Sequence, residues 1–281
     1  MIVIVDALSI TLVLALAAFG LAIIYGLVGV INMGHGAMLT LGAYLTWAGT
    51  TWGHLPFVAA VVVAAFGVGI VGLALEHFLI RHFYDRPFET LLLTWAFFLV
   101  MTEVIKIIFG TDFRNVTNPL PEAIQFGLVK IPTYRTVVAG LSLAIILITA
   151  LVFYRTSLGI KIRALIQNRE VASLLGLDIA RMYKAVFTLG AFMAGLAGAL
   201  ISPMLSVDPY IGNIYLVRSF FVVIVGGIGH LLGGTLIGSF LIGGSETLLA
   251  LFSSQVVAQT AVFAIAIVIL RFRPLGVLRA N

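Results

Sequence analysis

The stretch "ALSITLVLALAAFGLAIIYGLVGVINMGHGAMLTLGAY", Ala7–Tyr44, settles the class of this protein and poses its functional question. From Ala7 to Ile31 no charged residue occurs and the apolar residues do not alternate with polar ones, so the run reads as a helix that can cross a hydrocarbon core about 30 Å thick. The chain then places Asn32 and His35 among Gly29, Gly34 and Gly36 before a second apolar run begins. Glycine weakens a helix, and Asn and His are costly against lipid. The interruption therefore either caps a tight turn at the membrane surface or lines protein or a water-filled path. A metal site is disfavoured, because no His, Asp or Glu stands beside His35 at ligand spacing.

The rest of the chain repeats the first pattern. At 281 residues with 62% hydrophobic and 10% charged, it lies far outside the composition of a soluble domain. A mean hydropathy of +1.19 agrees. Continuous apolar runs favour helical spans over a barrel, so the expected fold class is an all-α integral membrane protein, a polytopic bundle of about 8–10 transmembrane helices with re-entrant or broken segments. The expected spans are 7–31, 36–52, 56–80, 89–109, 134–154, 183–205, 217–229, 233–252 and 254–270, of which 36–52 and 217–229 are short for a full crossing. No linker divides them, so residues 1–281 read as one transmembrane domain. Cysteine is absent, which removes disulfides and thiolate metal sites. The N-terminus "MIVIVDALSI" lacks the basic region of a secretory signal, so the first span is expected to be retained.

The net charge of +5 reports orientation rather than nucleic-acid binding, because the basic residues lie almost entirely in the connections. Residues 155–184 hold Arg155, Lys161, Arg163, Arg169, Arg181 and Lys184, and the tail holds Arg271, Arg273 and Arg279. These and the link with Arg81 and Arg86 are expected on the cytoplasmic side, with a cytoplasmic C-terminus. The Pro119–Pro132 segment then falls outside, as a polar connector. Glycines cluster in several spans, and "LGAFMAGLAGAL", Leu189–Leu200, is expected to pack closely against other helices.

Each ionisable residue within a span needs a partner or water. Glu103 and Lys106 are spaced to pair on one helix face, and Glu76 and His77 are near enough to a helix end to reach the headgroups. Glu246 has no basic residue on its own helix, so it needs a cavity or a partner from another span, with Arg218 one candidate. Ile160–Leu175 reads as a short amphipathic helix with apolar Ile162, Leu165, Ile166 and Leu174, basic Lys161, Arg163 and Arg169, and a stop at Gly176. By itself such a helix would lie on anionic headgroups. A faint echo relates "GHGAMLTLGAY", Gly34–Tyr44, to "GHLLGGTLIGSF", Gly229–Phe240, though chance accounts for it in so biased a composition.

Three segments, in order, resemble one family. "YGLVGVINMGHGAMLTLGAYL" (Tyr25–Leu45), "TSLGIKIRALIQNREVASLLGLDIARMY" (Thr156–Tyr183) and "VRSFFVVIVGGIGHLLGGTLIGSFLIG" (Val217–Gly243) are similar to the permease subunits of branched-chain amino acid ABC importers. The resemblance implies a non-catalytic subunit of the bacterial inner membrane that translocates a small amino-acid-like solute: a branched-chain amino acid, or an amide, urea or aromatic acid. It implies as partners two ABC ATPase subunits carrying ATP and Mg, a second related permease in a heterodimer, a periplasmic solute-binding protein and membrane lipid, but no nucleic acid. Residues 155–182 become a cytoplasmic coupling loop, with Gly159, Arg163, Ala164, Asn168, Ala172 and Gly176 at the ATPase contact. Asn32, His35, Gly36, Thr40, Tyr44 and Glu246 are the candidates for the solute pathway. Ala37 stands where many members carry an acidic or hydroxyl residue, which bears on the solute. No G-x-x-x-x-G-K-[ST] occurs, so this chain is expected to bind no nucleotide or other cofactor. H-E-x-x-H and G-x-S-x-G are also absent, which argues against an intramembrane enzyme. The alternative is a self-sufficient secondary transporter or channel, for which Glu246 and the Glu103–Lys106 pair would have to supply the coupling site.

Overall fold

A computed structural model describes residues 2–126, 129–227, 229–274 and 276–278, with side chains from Ala7 onward except those of 124–131 and 166. Arg279 and the side chain of Ile166 lie outside the described residues. Helices α1 (Ile2–Val28), α2 (His35–Thr51), α3 (Phe57–Phe78) and α4 (Pro87–Phe109) come first. A hairpin of β1 (Ala123–Phe126) and β2 (Val129–Pro132) leads into α5 (Thr133–Arg155). Two short helices, α6 (Ser157–Gln167) and α7 (Arg169–Leu174), precede α8 (Ile179–Ile201) and α9 (Ile211–Gly226). The chain ends with α10 (Leu231–Ser239), a π-helical turn (Phe240–Gly244), α11 (Ser245–Leu249) and α12 (Gln255–Phe272). Among the described residues, seven helical segments are long and apolar enough to cross a membrane, and α2 and α9 are shorter. The protein is thus an all-α polytopic membrane protein, and the hairpin replaces the irregular connector expected at Pro119–Pro132.

Of the seven long apolar helical segments, α1 is the most enclosed. Residues 13–24 of α1 are buried on every face, which places this helix at the centre of the bundle. In lipid, apolar side chains gain nothing from burial as such, so close packing of small residues must hold the helices together. Helix α8 supplies them. Gly195 lies against Gly42 of α2, Gly190 against Gly20 of α1, and Ala191 against Gly72 of α3, each so close that a methyl group on the glycine would overlap its neighbour. The packing expected of Leu189–Leu200 is therefore present. The outer faces of α3, α4 and α12 instead expose large residues such as Phe66, Ile70, Phe88, Leu99, Ile107, Val268 and Phe272, as helices bathed in lipid do.

The bundle has two chemically distinct ends. One carries Arg81, Arg86, α6, α7 and the C-terminal segment, where the Val277 and Leu278 N–H groups bond to Val225 and Gly226 at the end of α9. The other carries the hairpin and a two-way backbone pairing between Arg114 and Val207. Helix α9 starts earlier than 217 because Asp208 organises its approach, its carboxylate accepting from the Tyr210 N–H at 2.8 Å. Gly212 and Asn213, which resemble loop residues in the sequence, lie inside this helix.

Candidate functional site

The break at Asn32–Gly36 is built into the interior. Helix α1 ends at Val28, and Gly29 takes a left-handed φ of +75°, which a side chain would strain. From there the chain turns back alongside α1, because His35 Nε2 lies 2.9 Å from the carbonyl oxygen of Ala17. At 1.5 Å per residue, about 16 Å of helix separates Ala17 from Val28. A carbonyl can only accept, so Nε2 carries the hydrogen of this bond. The intervening backbone is held from α4: Thr94 Oγ1 accepts from the Met33 N–H at 3.1 Å and donates to the Ile31 carbonyl at 3.2 Å. Of the two readings of the break, a turn at the membrane surface is inconsistent with this depth.

Asn32, His35, Gly36, Thr40 and Tyr44 are all buried. Thr40 Oγ1 accepts from the Gly212 N–H at 3.0 Å and donates to the Gly36 carbonyl at 3.1 Å, locking α2 to the start of α9 where Gly36 and Gly212 touch. The Tyr44 ring packs on Phe109, 4.9 Å between centroids, beside Trp47 and Trp52. Three polar atoms in this region, Asn32 Oδ1, His35 Nδ1 and Tyr44 Oη, are buried with no hydrogen-bond partner among the described residues. An orphaned buried polar group costs about 1–3 kcal/mol, and others such as Ser142 Oγ and Ser219 Oγ lie elsewhere in the bundle.

Glu246 lies elsewhere, in a cavity of about 500 Å³ that opens toward the hairpin end. It forms a buried ion pair with Arg218 of α9, and the same oxygen, Oε1, accepts from Gln255 Nε2 of α12 at 2.8 Å. The π-helical turn immediately before it, which sequence periodicity does not reveal, resets the register of this helix just ahead of Glu246. Arg135 and Asp208 also line the cavity. None of the residues at the α1–α2 break does, so the structure separates the candidate pathway residues into two groups that meet only near Ile211 and Gly212.

The remaining candidates form a module at the basic end. Arg163 donates to the Phe153 carbonyl at 2.6 Å, satisfying an acceptor at the end of α5 with a cation. A methyl group on Gly159 would fall on that same carbonyl, so both residues serve the junction of α5 and α6. The single amphipathic helix expected over Ile160–Leu175 is divided at Asn168, whose extended backbone ends α6 and whose Oδ1 accepts from the Val171 N–H at 3.0 Å to cap α7. As a result Leu174 turns outward, 86% exposed, while Ile162 and Leu165 are buried. Gly176, at φ +82°, closes α7: its N–H bonds to Ser173 and that of Leu177 to Ala172, the paired bonds of a Schellman stop. Ala164 accepts from the Asn168 N–H, and Ala172 packs with Leu165 and Tyr183 near Val28.

This module reaches the spans through aromatic contacts. Arg169 pairs with Asp85 and lies over the Tyr183 ring, which contacts Tyr84, and Tyr84 Oη donates to Glu76 Oε1 at 2.9 Å. Burial, with Glu76 beside it, raises the pKa of the Tyr84 hydroxyl above its ordinary value and keeps it a donor. Glu76 is 1% exposed and does not reach the headgroups as expected, because Tyr84 folds over it. His77 contacts Lys184 and Arg81 instead. Glu103 and Lys106 form the expected pair, at 2.7 Å on an exposed helix face.

The description "Branched-chain amino acid transport system / permease component" matches residues 3–271 of this chain. The high-affinity branched-chain amino acid transport system permease protein LivH of Escherichia coli K12 is 27% identical, over 94% of this chain and 90% of that protein. Its counterpart BraD of Pseudomonas aeruginosa is 25% identical, over 98% of this chain and 94% of that protein. A fructose import permease, FrcC of Rhizobium meliloti, is 32% identical over 35% of this chain and 31% of its own length. No solved structure matches the chain.

Proposed function

The chain belongs to the family of permease components of branched-chain amino acid transport systems, and we propose that it is the membrane subunit of an ATP-driven importer of a small amino-acid-like solute, a branched-chain amino acid first among them. The observation that carries the importer reading is the module at the basic end. It exposes Leu158 and Ile160 on α6 and Leu174 and Leu175 at the end of α7, which Asn168 caps, an apolar face suited to a partner protein. The partners in this reading are two ATPases carrying ATP and Mg, a second permease of the same family and a periplasmic binding protein. The basic end faces the cytoplasm of a bacterial inner membrane, following the excess of Lys and Arg in its connections.

The contacts provide a route for the motion. Displacement of α6–α7 by closing ATPases pulls on α5 through Arg163 and Phe153, on α3 through Tyr183, Tyr84 and Glu76, and on α1 through the packing beside Val28. Gly29, just beyond Val28, is the natural hinge, and the solute pathway borders the break at Asn32–Gly36, Thr40, Tyr44 and Glu246. Amide, urea and aromatic-acid solutes remain within the proposed range, because Ala37 departs from the pattern of the family.

Gentle purification of this chain from its native membrane, with mass spectrometry of what stays bound, is the test. Two ATPases and a second permease in near-equal amounts are expected. A chain that comes out alone and still moves solute into vesicles without ATP would replace this reading with secondary transport.

A further inference from the structure

The cavity around Glu246 has a charge arrangement that the packing of the bundle does not require. Arg218 and Glu246 form a close pair with side chains 13% and 5% exposed, held by Gln255 and lying beside Tyr215. Neither is fully used by the other. Both Arg218 and Gln255 bond to the same oxygen, Oε1 of Glu246, while Arg218 Nε is a buried donor with no partner among the described residues. Arg135 and Asp208 add a second cation and a second anion to the lining, so the two signs balance. The other walls are mostly apolar, including Leu14 and Ile211, with the hydroxyls of Ser206 and Thr247 among them.

We propose that this cavity is a binding site for the zwitterionic head of an α-amino acid, with the carboxylate on Arg218 and the ammonium on Glu246. The proposal rests on the importer reading and deepens it by naming where the solute is read and by which groups. The carboxylate and ammonium of an α-amino acid are joined through one carbon, so their separation suits a cation and an anion already side by side. A guanidinium offers planar N–H donors to a carboxylate, and a carboxylate accepts from an ammonium. The balanced lining penalises ligands of net charge, which would leave one member of the pair uncompensated in a poorly solvated cavity. The cavity volume falls in the range of small-ligand sites, with apolar walls for an aliphatic side chain. The resident pair keeps both charges compensated when the site holds no solute.

The test is equilibrium binding of radiolabelled L-leucine to the purified transporter complex in lipid nanodiscs without a binding protein. Competitors are leucinamide, which lacks the carboxylate, and 4-methylpentanoate, which lacks the ammonium. Leucine is expected to compete about tenfold or more better than either, a difference of about 1.4 kcal/mol. Glu246→Gln is expected to weaken leucine binding and narrow its advantage over 4-methylpentanoate. The double variant Arg218→Glu/Glu246→Arg keeps a buried pair, so it is expected to fold and retain its ATPases while losing leucine. No leucine binding by the wild type, equal competition by all three compounds, or unchanged leucine affinity in the swapped variant would overturn the site. ATP hydrolysis by the copurified complex is read separately. Its absence would count against the importer reading whatever the competition shows, and its presence beside failed competition would sink the cavity proposal alone.

Discussion

Arg218 and Glu246 show what a single side chain has at stake in this bundle. Removing one member of a buried ion pair strands the other, at a cost of about 3–5 kcal/mol, whereas replacing both with apolar residues is often neutral. Glu246→Ala is therefore expected to lower the thermal midpoint in detergent clearly, and Arg218→Met/Glu246→Leu to recover it while uptake stays impaired. A double variant no more stable than the single would mean that the pair is not the source of the loss. That Glu246 needed a partner was legible in the sequence, since no basic residue shares its helix. That Arg218 answers it depends on how α9 and α11 pack, which local pattern does not encode. Asn32 and His35 make a second case. Their replacement by Leu and Phe is expected to slow uptake without releasing the ATPases, and unchanged uptake kinetics would assign the orphaned atoms to packing alone.

Among the elements, α6 and α7 combine the most readable sequence with the least readable geometry. The stop at Gly176 and the basic residues were evident from composition, but Asn168 lies within a helix-compatible run, and only its capping bond shows that the run divides there. Arg163→Ala removes a charge-assisted bond worth about 1.5–3 kcal/mol from the end of α5. It is expected to leave ATP hydrolysis running while uptake falls, measured together in proteoliposomes. Gly159→Ala should do the same, because its methyl group would displace α6 from the Phe153 carbonyl. Normal transport in both variants would remove the coupling assignment. Gly176→Ala forces a side chain into a left-handed turn, costing about 1–2 kcal/mol, and is expected to loosen α7, detectable as faster amide exchange over residues 169–177. The π-helical turn and the hairpin left no trace in the hydrophobic pattern, because one changes register by a single residue and the other is too short to show an alternation.

For the molecule as a whole, α8 governs assembly. Its small face lies close against α1, α2 and α3, and a Cβ at Gly195 would run into the Val68 side chain of α3, so Gly195→Leu is expected to part α8 from α3 and abolish the folded protein, seen as loss of a monodisperse peak on size exclusion. Gly140→Leu is the control. A Cβ at Gly140 has no neighbour within 4 Å among the described residues, and little change is expected. A Gly195→Leu protein that behaves like wild type would show that the central contact is dispensable. The Gly-His echo also has a counterpart at this scale. Both histidines stand where a helix begins after a glycine-bearing break, His35 at α2 and His230 before α10, and in both the helix that follows brings a glycine against α9, Gly36 on Gly212 and Gly234 on Gly226. Two interrupted segments therefore pack around the same helix.

Composition and hydrophobic run length alone determined that this is a helical membrane protein, roughly where its spans lie and which connections are basic, because lipid requires each span to satisfy its own backbone and forbids unpaired charge. Its motif order was enough to place the family. Tertiary structure alone decided that the break after α1 folds back toward Ala17, that Arg218 meets Glu246 inside a cavity, and that Tyr84 seals Glu76 away from the headgroups. Those outcomes depend on contacts between helices distant in sequence, set by which small residues let two backbones approach, and no local pattern carries that information.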